Sequence, residues 1–152
     1  MQIHTLMSNP FEVTRDTLIL STDPQRLDLE AVCGFLSQSY WAQNRTRSTI
    51  ERALHNSLVF GVYDEGRMVA MARVVTDYAT FAWLCDVFVS EDHRGRGIGK
   101  WLMESMLAHP ELQGLRRWLL ATRDAHGLYS QYGYTSLHNI ERWMERLDPD
   151  AR

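Results

Sequence analysis

The run Arg94-Gly95-Arg96-Gly97-Ile98-Gly99-Lys100 is the stretch of this sequence best suited to chemistry. Its glycines leave backbone N–H groups unshielded. An apolar strand-like run precedes it and helical spacing follows, so those N–H groups sit at a helix start, where the peptide dipoles add partial positive charge. Such a loop holds a phosphate or pyrophosphate. Arg94 and Arg96 add charge to it. A P-loop requires glycine five residues before its Gly-Lys pair and a hydroxyl residue after it. Arg94 and Trp101 stand there instead. A dinucleotide fingerprint requires glycine at its first, third and sixth positions; Gly95 and Gly97 meet the first two, and Lys100 fills the last. The pattern that remains is Arg-x-x-Gly-x-Gly, met by Arg94, Gly97 and Gly99. A second candidate is Asp86, an acid within an otherwise apolar run. Burial there would raise its pKa toward a value useful in a general base. The structural alternative is an ion pair with Arg73 or Arg123.

The elements that must position these residues follow from spacing. Thr17–Ser21 reads as a short buried strand, and the sixteen residues before it lack periodicity. Asp28 caps a helix running to about Gln38, with Leu29, Val32, Phe35 and Leu36 on one face. A shorter helix covers Ser48–His55. Strands at Ser57–Tyr63 and Met68–Val75 flank the turn signal Asp64-Glu65-Gly66-Arg67 and form a hairpin. A long strand spans Thr80–Val89, where strict alternation puts Leu84, Asp86 and Phe88 on one face and Cys85, Val87 and Val89 on the other. Ser90–Arg96 is a polar turn with a solvated His93. Gly97–Ala108 is a helix with Ile98, Trp101, Leu102, Ser105 and Met106 on a common side. Arg117–Ala121 is a buried strand, and Ala125–Tyr132 a short helix ended by Gly133, in which His126 reads as an N-terminal residue, with a general base as the alternative. Tyr134–Leu137 and Ile140–Met144 read as final strands, with a helix over Ile140–Arg146 as the alternative for the second. With strands clustered in the middle, the order suits an α+β fold.

Composition narrows the function classes. The chain has 152 residues, 45% of them hydrophobic, and no repeat or Pro/Gly/Ser-rich linker, which suits one domain with a sizeable core. Sixteen basic against nineteen acidic residues give a formal charge of −3, with no basic excess to drive nucleic-acid binding. The strongest apolar run, Phe81–Val89, is too short to span a bilayer and contains Asp86. The N-terminus has no basic segment leading into an apolar one. Cys33 and Cys85 read as reduced, buried thiols, so a cytoplasmic location is expected.

The Arg-x-x-Gly-x-Gly loop, strand before and helix after, resembles the coenzyme A loop of the GNAT superfamily of N-acetyltransferases. Downstream, Leu128-Tyr129-Ser130-Gln131-Tyr132-Gly133-Tyr134 resembles that family's Y-x-x-x-G-F segment, with Tyr134 in place of Phe, and the spacing from Ala125 to Tyr129 also matches. The similar stretch runs from about Leu58 to Tyr134. The resemblance implies one GNAT domain over residues 1–152, its core about 17–146, with a central mixed, mostly antiparallel sheet flanked by helices. Where family members often carry Asn three residues before that Ala, this chain has Thr122.

The implied activity is direct transfer of an acetyl group from acetyl-CoA to a primary amine through a tetrahedral intermediate, with acetyl-CoA as cosubstrate and no metal. The backbone of Arg94, Gly95, Arg96, Gly97, Ile98, Gly99 and Lys100 would hold the pyrophosphate, and the backbone of Val87, Phe88 and Val89 would pair with the pantetheine arm and polarise the thioester carbonyl. Thr122 would stand in for the cofactor-holding Asn, Tyr129 would protonate the departing thiolate, and Asp86 would be the base. Tyr40, Trp41 and Arg45 would line the acceptor pocket, while Trp83, Trp101 and Trp118 read as core or cofactor-wall residues. A small-molecule or peptide amine is the expected partner, and a homodimer the expected assembly. Nucleic acid and membrane are not expected partners. The near-neutral charge and several acids favour a small cationic amine, with a protein amine, an aminoglycoside or an amino-acid analogue left open. A non-catalytic acyl-CoA sensor is the alternative from another class, favoured only without the tyrosine. A nucleotide-dependent phosphotransferase is disfavoured by the failed P-loop.

Overall fold

The computed structural model describes residues 9–151. Six strands form one sheet in chain order: β1 (Glu12–Arg15), β2 (Leu18–Ser21), β3 (Leu58–Asp64), β4 (Arg67–Thr76), β5 (Phe81–Val89) and β6 (Arg117–Leu119). All neighbours are antiparallel except β5 and β6, which run parallel. A parallel pair needs a crossover, and α3 (Ile98–Ala108) provides it. On one face, α1 (Leu29–Ser37) and α2 (Arg47–His55) pack Val32, Leu36, Ile50 and Leu54 on Val59, Met71 and Phe88. On the other, α3 packs Ile98, Trp101, Leu102 and Met106 on Leu20, Phe60, Val62, Ala72 and Leu84. The fold is α+β with a mixed six-stranded sheet between helices.

Local chemistry explains the helix starts. Asp28 accepts from the Ala31 N–H at 3.1 Å, and Thr46 accepts from the Thr49 N–H at 3.3 Å, each satisfying a donor the first turn leaves over. The helical spacing read for both segments comes within one residue of the observed bounds. At its C-terminal end the chain departs from that reading. No strand forms after β6 among the described residues; Ile140–Arg142 is a single 3-10 turn, and Ile140, Met144 and Leu147 are exposed. Their apolar alternation forms no ladder with β6, the edge strand of the sheet. At the other end, β1 forms although its residues show no apolar alternation, because β2 supplies the ladder.

Strict alternation also fails in β5, for a reason that matters to the site. Met71 pairs with Phe88 and Arg73 with Cys85, so the single residue Ala72 faces both Asp86 and Val87. This is a bulge, and Asp86 adopts a left-handed φ of 47° within it. The extra residue reverses the side-chain parity. Ala82 and Leu84 lie in the core beneath α3; beyond the bulge Val87 and Val89 pack on that same core, while Phe88 turns to the other face and stacks on Phe35 at 4.8 Å. Leu84 and Phe88 therefore lie on opposite faces.

Replacing the α1 cap, Asp28→Ala, is expected to lower unfolding free energy by about 1 kcal/mol. Urea titration followed by circular dichroism measures it.

Candidate active site

The glycine loop is built as its residue types require. A 3-10 turn, Glu91–His93, leads out of β5, and Gly95 and Gly97 take φ values of 78° and 75° before α3 begins. Side chains rarely adopt that region. A Cβ on Gly95, Gly97 or Gly99 would meet no other atom within 4 Å, so the space above the loop is open. No side chain among the described residues caps the start of α3, which leaves its first-turn N–H groups facing that space. Arg96 and Lys100 are exposed, whereas Ile98 is buried beneath α3 and offers only its backbone. Arg94 ties the loop to the strand: its Nε donates to the Val89 carbonyl at 3.1 Å and its guanidinium lies 5.7 Å from the Phe88 ring centroid. His93, expected to be solvated, is buried. Its Nδ1 is 2.7 Å from Ser90 Oγ and its Nε2 is 3.3 Å from Asp64 Oδ2, a pairing that pins the turn to the β3–β4 hairpin.

Beside the loop the sheet opens. β6 pairs with β5 only over Phe81–Trp83 against Arg117–Leu119. Past that point the two chains diverge around a cavity of about 440 Å³. That volume suits a small ligand. One wall is β5, including Leu84, Cys85, Asp86, Val87 and Val89; the other is Leu120, Ala121 and Thr122 after β6. Gly99 of the loop closes one end. Tyr129, on the short helix α4 (His126–Ser130), lines the far wall. Tyr40, Trp41 and Arg45, from the α1–α2 connection, complete it. The structure thus gathers Asp86, Val87, Val89, Gly99, Thr122 and Tyr129 around one space. Phe88 contributes only backbone, because its ring faces α1.

Asp86 sits at the centre of a charge cluster. Trp41 Nε1 donates to its Oδ1 at 2.8 Å; Arg45 Nη1 and Arg73 Nε donate to its Oδ2 at 3.0 and 2.8 Å. Burial alone would push its pKa up, but the charge and hydrogen bond of Arg73, the charge of Arg45 and the Trp41 hydrogen bond together hold it below the ordinary carboxylate value. The raised pKa expected of a base in this strand is therefore corrected: Asp86 is ionised and fully engaged. Arg73 is one of the partners foreseen for it. Arg123 instead lies by Asp124 at 3.6 Å.

Tyr129 is shifted the other way. Burial, with the nearby Tyr40 and Asp124, raises its pKa above the ordinary tyrosine value, so its hydroxyl stays protonated at neutral pH. Tyr134 packs edge-on against it at 5.8 Å. Thr122 Oγ1 accepts from the Ala125 N–H at 3.1 Å and so starts α4, fixing where Tyr129 stands. Across the cavity mouth, Tyr40 accepts from the Arg123 N–H at 3.1 Å, with the Arg123 guanidinium 3.8 Å from its ring centroid. Of the tryptophans, Trp83 lines the cavity and Trp101 is core. Cys33 and Cys85 are free but half-buried, not buried as expected; burial raises the Cys85 pKa. No local pattern marks Leu120, Ala121 or Asp124, which enter the site through the course of the chain after β6.

A family model described as acetyltransferase (GNAT) family matches residues 27–134. The chain belongs to the acetyltransferase (GNAT) family. A Gibberella zeae protein assigned as an acetyltransferase is 30% identical, with 82% of each chain covered. A crystal structure from Xanthomonas campestris pv. campestris, assigned to the same family, is 50% identical with a TM-score of 0.84, covering 87% of this chain and 94% of that one. The ribosomal-protein-S18-alanine N-acetyltransferase of Escherichia coli shares the fold at 22% identity and a TM-score of 0.65, covering 80% of this chain and 79% of that one. Among the described residues, no helix is long and apolar enough to cross a membrane.

Because the folded-state pKa of Asp86 is depressed, its contribution to stability is full above the ordinary carboxylate value of about 3.9 and is lost as pH falls through and below it. Asp86→Asn is expected to cost about 2–3 kcal/mol at pH 7, less than a fully buried pair because both arginines keep some solvent contact. Urea unfolding of the two proteins across pH 7 to 3 measures this, and the gap between them narrows at the acid end.

Proposed function

We propose that the chain transfers an acetyl group from acetyl-CoA to a primary amine by direct attack. The observation that carries this reading is the alignment, along one cleft, of an uncapped helix start, an unpaired length of β5 and a protonated tyrosine. The cosubstrate fits the residues present. The backbone of Arg94 to Lys100 would grip its diphosphate, since the N–H groups there face open space and glycines keep it open. The backbone of Val87 to Val89 would pair with the amides of the arm, because β5 lacks a β6 partner beyond Trp83. An N–H of that segment is the donor for the carbonyl oxygen as it gains charge.

In the transfer, the amine nitrogen forms a bond to the acetyl carbon and gives up a proton to water at the open cavity mouth. The carbon–sulfur bond breaks, and Tyr129 supplies the proton the departing thiolate needs. Tyr129 is then recharged from solvent. Asp86 has a different task from the one its position in the strand first suggested. With both oxygens taken by Trp41, Arg45 and Arg73 it anchors the bulge and the α1–α2 connection, and it serves as a positioning residue. A sensor that binds acyl-CoA without transfer would need no acid at Tyr129.

Gly97→Glu is expected to abolish thermal protection by CoA, since it places a side chain and a negative charge at a left-handed position in the anion site. Unchanged protection in differential scanning fluorimetry overturns that placement, and the melting temperature without ligand shows whether the variant folds. Tyr129→Phe is expected to lower kcat by roughly a hundredfold with CoA affinity nearly unchanged. Thiol release with acetyl-CoA, alongside CoA titration calorimetry, separates the two effects.

A further inference from the structure

The charges at the inner end of the cavity do not balance. Two guanidinium groups, Arg45 and Arg73, share the single carboxylate of Asp86, both through Oδ2, while its Oδ1 is held by the Trp41 indole. Arg73 directs a further donor, Nη1, to Ser57 Oγ at 3.1 Å. Among the described residues the Arg45 guanidinium donates one bond, through Nη1, and the rest of its planar N–H fork remains for another acceptor. Its side chain keeps 20% exposure and lines the cavity. One positive charge is therefore in excess there, in a partly desolvated place where a guanidinium is best matched by a bidentate anion. The other acid of the cavity wall, Asp124, stands with Tyr129 and faces Arg123. Trp41 and Trp83 line the same cavity as the arginines and are 40% and 48% exposed, a large apolar surface for side chains inside a cleft.

We propose that the acceptor amine carries a carboxylate, which bonds the free donors of Arg45 while its apolar body lies on the Trp41 and Trp83 indoles, so that an amino-acid-like molecule presents its amine toward Tyr129. This rests on the acetyl-transfer reading of the same cavity. It replaces the cationic acceptor that net charge favours, because the local charge at the acceptor end has the opposite sign to the chain as a whole. Arg45 acts here as a binding residue for the acceptor and takes no part in bond making.

The test compares phenylalanine, phenylalaninamide and phenethylamine as acceptors with acetyl-CoA, following free thiol. Calorimetry then compares N-acetylphenylalanine with its amide on CoA-loaded protein. The acid is expected to exceed the amide and the amine by at least about tenfold in kcat/KM, the scale of a charge-assisted hydrogen bond. The bias is conservative, since the amide's less basic amine is more often neutral. Arg45→Gln is expected to bring the ratio near one, mainly through KM, and Arg45→Lys to restore part of it. Equal or better use of the amide or amine overturns the proposal, as does an unchanged ratio in Arg45→Gln. If CoA binds but no acceptor is acetylated, the transfer reading fails. The calorimetry still decides the carboxylate: at least tenfold tighter binding of the acid than the amide supports it, and equal binding overturns it.

Discussion

The site depends on one extra residue in β5. The bulge at Asp86 sets two residues opposite Ala72 and costs the strand a left-handed conformation at a residue that has a side chain. A non-glycine residue in that region is strained by about 1–2 kcal/mol. The donors converging on its carboxylate offset that strain and fix the kink where it is. Three features meet at the kink. Side-chain parity reverses, so Val87 and Val89 pack beneath α3 and Phe88 packs against α1. The bulge falls in the stretch of β5 past Trp83 that has no β6 partner, where the cleft lies. The carboxylate becomes the hub that ties the α1–α2 connection to the sheet, so the cavity's roof and its floor are joined by the same interaction that fixes the kink.

On the proposed reading, two different devices would receive negative charge at the two ends of that cleft. At the α3 start the work belongs to the backbone: uncapped N–H groups and positive φ at Gly95 and Gly97, with side chains either turned into the core, as Ile98 is, or out to solvent, as Arg96 and Lys100 are. Arg94 is spent holding the loop to Val89. At the inner end the work belongs to side chains, with guanidinium groups set against indoles and a buried carboxylate. A backbone device recognises a phosphate wherever the fold recurs, because it needs only glycines and a helix. A side-chain device depends on which residues the α1–α2 connection happens to supply.

That distinction also explains how much the sequence discloses. The loop, α3, the hairpin, both capped helices and the tyrosine segment are legible because each is governed by neighbours a few residues apart: Asp28 and Thr46 cap locally, Gly97 and Gly133 turn locally. The bulge is not legible, since Phe81–Val89 reads as unbroken alternation and the extra residue shows only against β4. The engagement of Asp86 is partly legible; Arg73 lies on the neighbouring strand, but Arg45 and Trp41 reach it from 41 and 45 residues away. His93 looked solvated because its neighbours in sequence are polar, yet its partner Asp64 lies 29 residues off in the hairpin. The C-terminal strands failed for the complementary reason: alternation without a partner makes no sheet.

Membership of the acetyltransferase (GNAT) family accounts for the end of the cleft that the backbone builds and leaves the inner end to be read from this chain alone. There the net charge of −3 misleads, because a charge counted over the whole surface says nothing of a pocket from which water is partly excluded. At the inner end a ligand would meet two guanidinium groups, one carboxylate already committed to both, and aromatic walls whose dipoles reorient far less than water, while the second acid of the wall, Asp124, stands away by Arg123. In such surroundings an ammonium group placed next to Arg45 would be repelled with little screening, whereas a carboxylate exchanges its hydration for a fixed, oriented fork of donors. The same low-dielectric argument explains why Asp86 is not free to act as a base. Taking up a proton would strand two cations against each other, so the group stays ionised, and its constancy is what holds the kink, the cleft and the acceptor wall in one geometry.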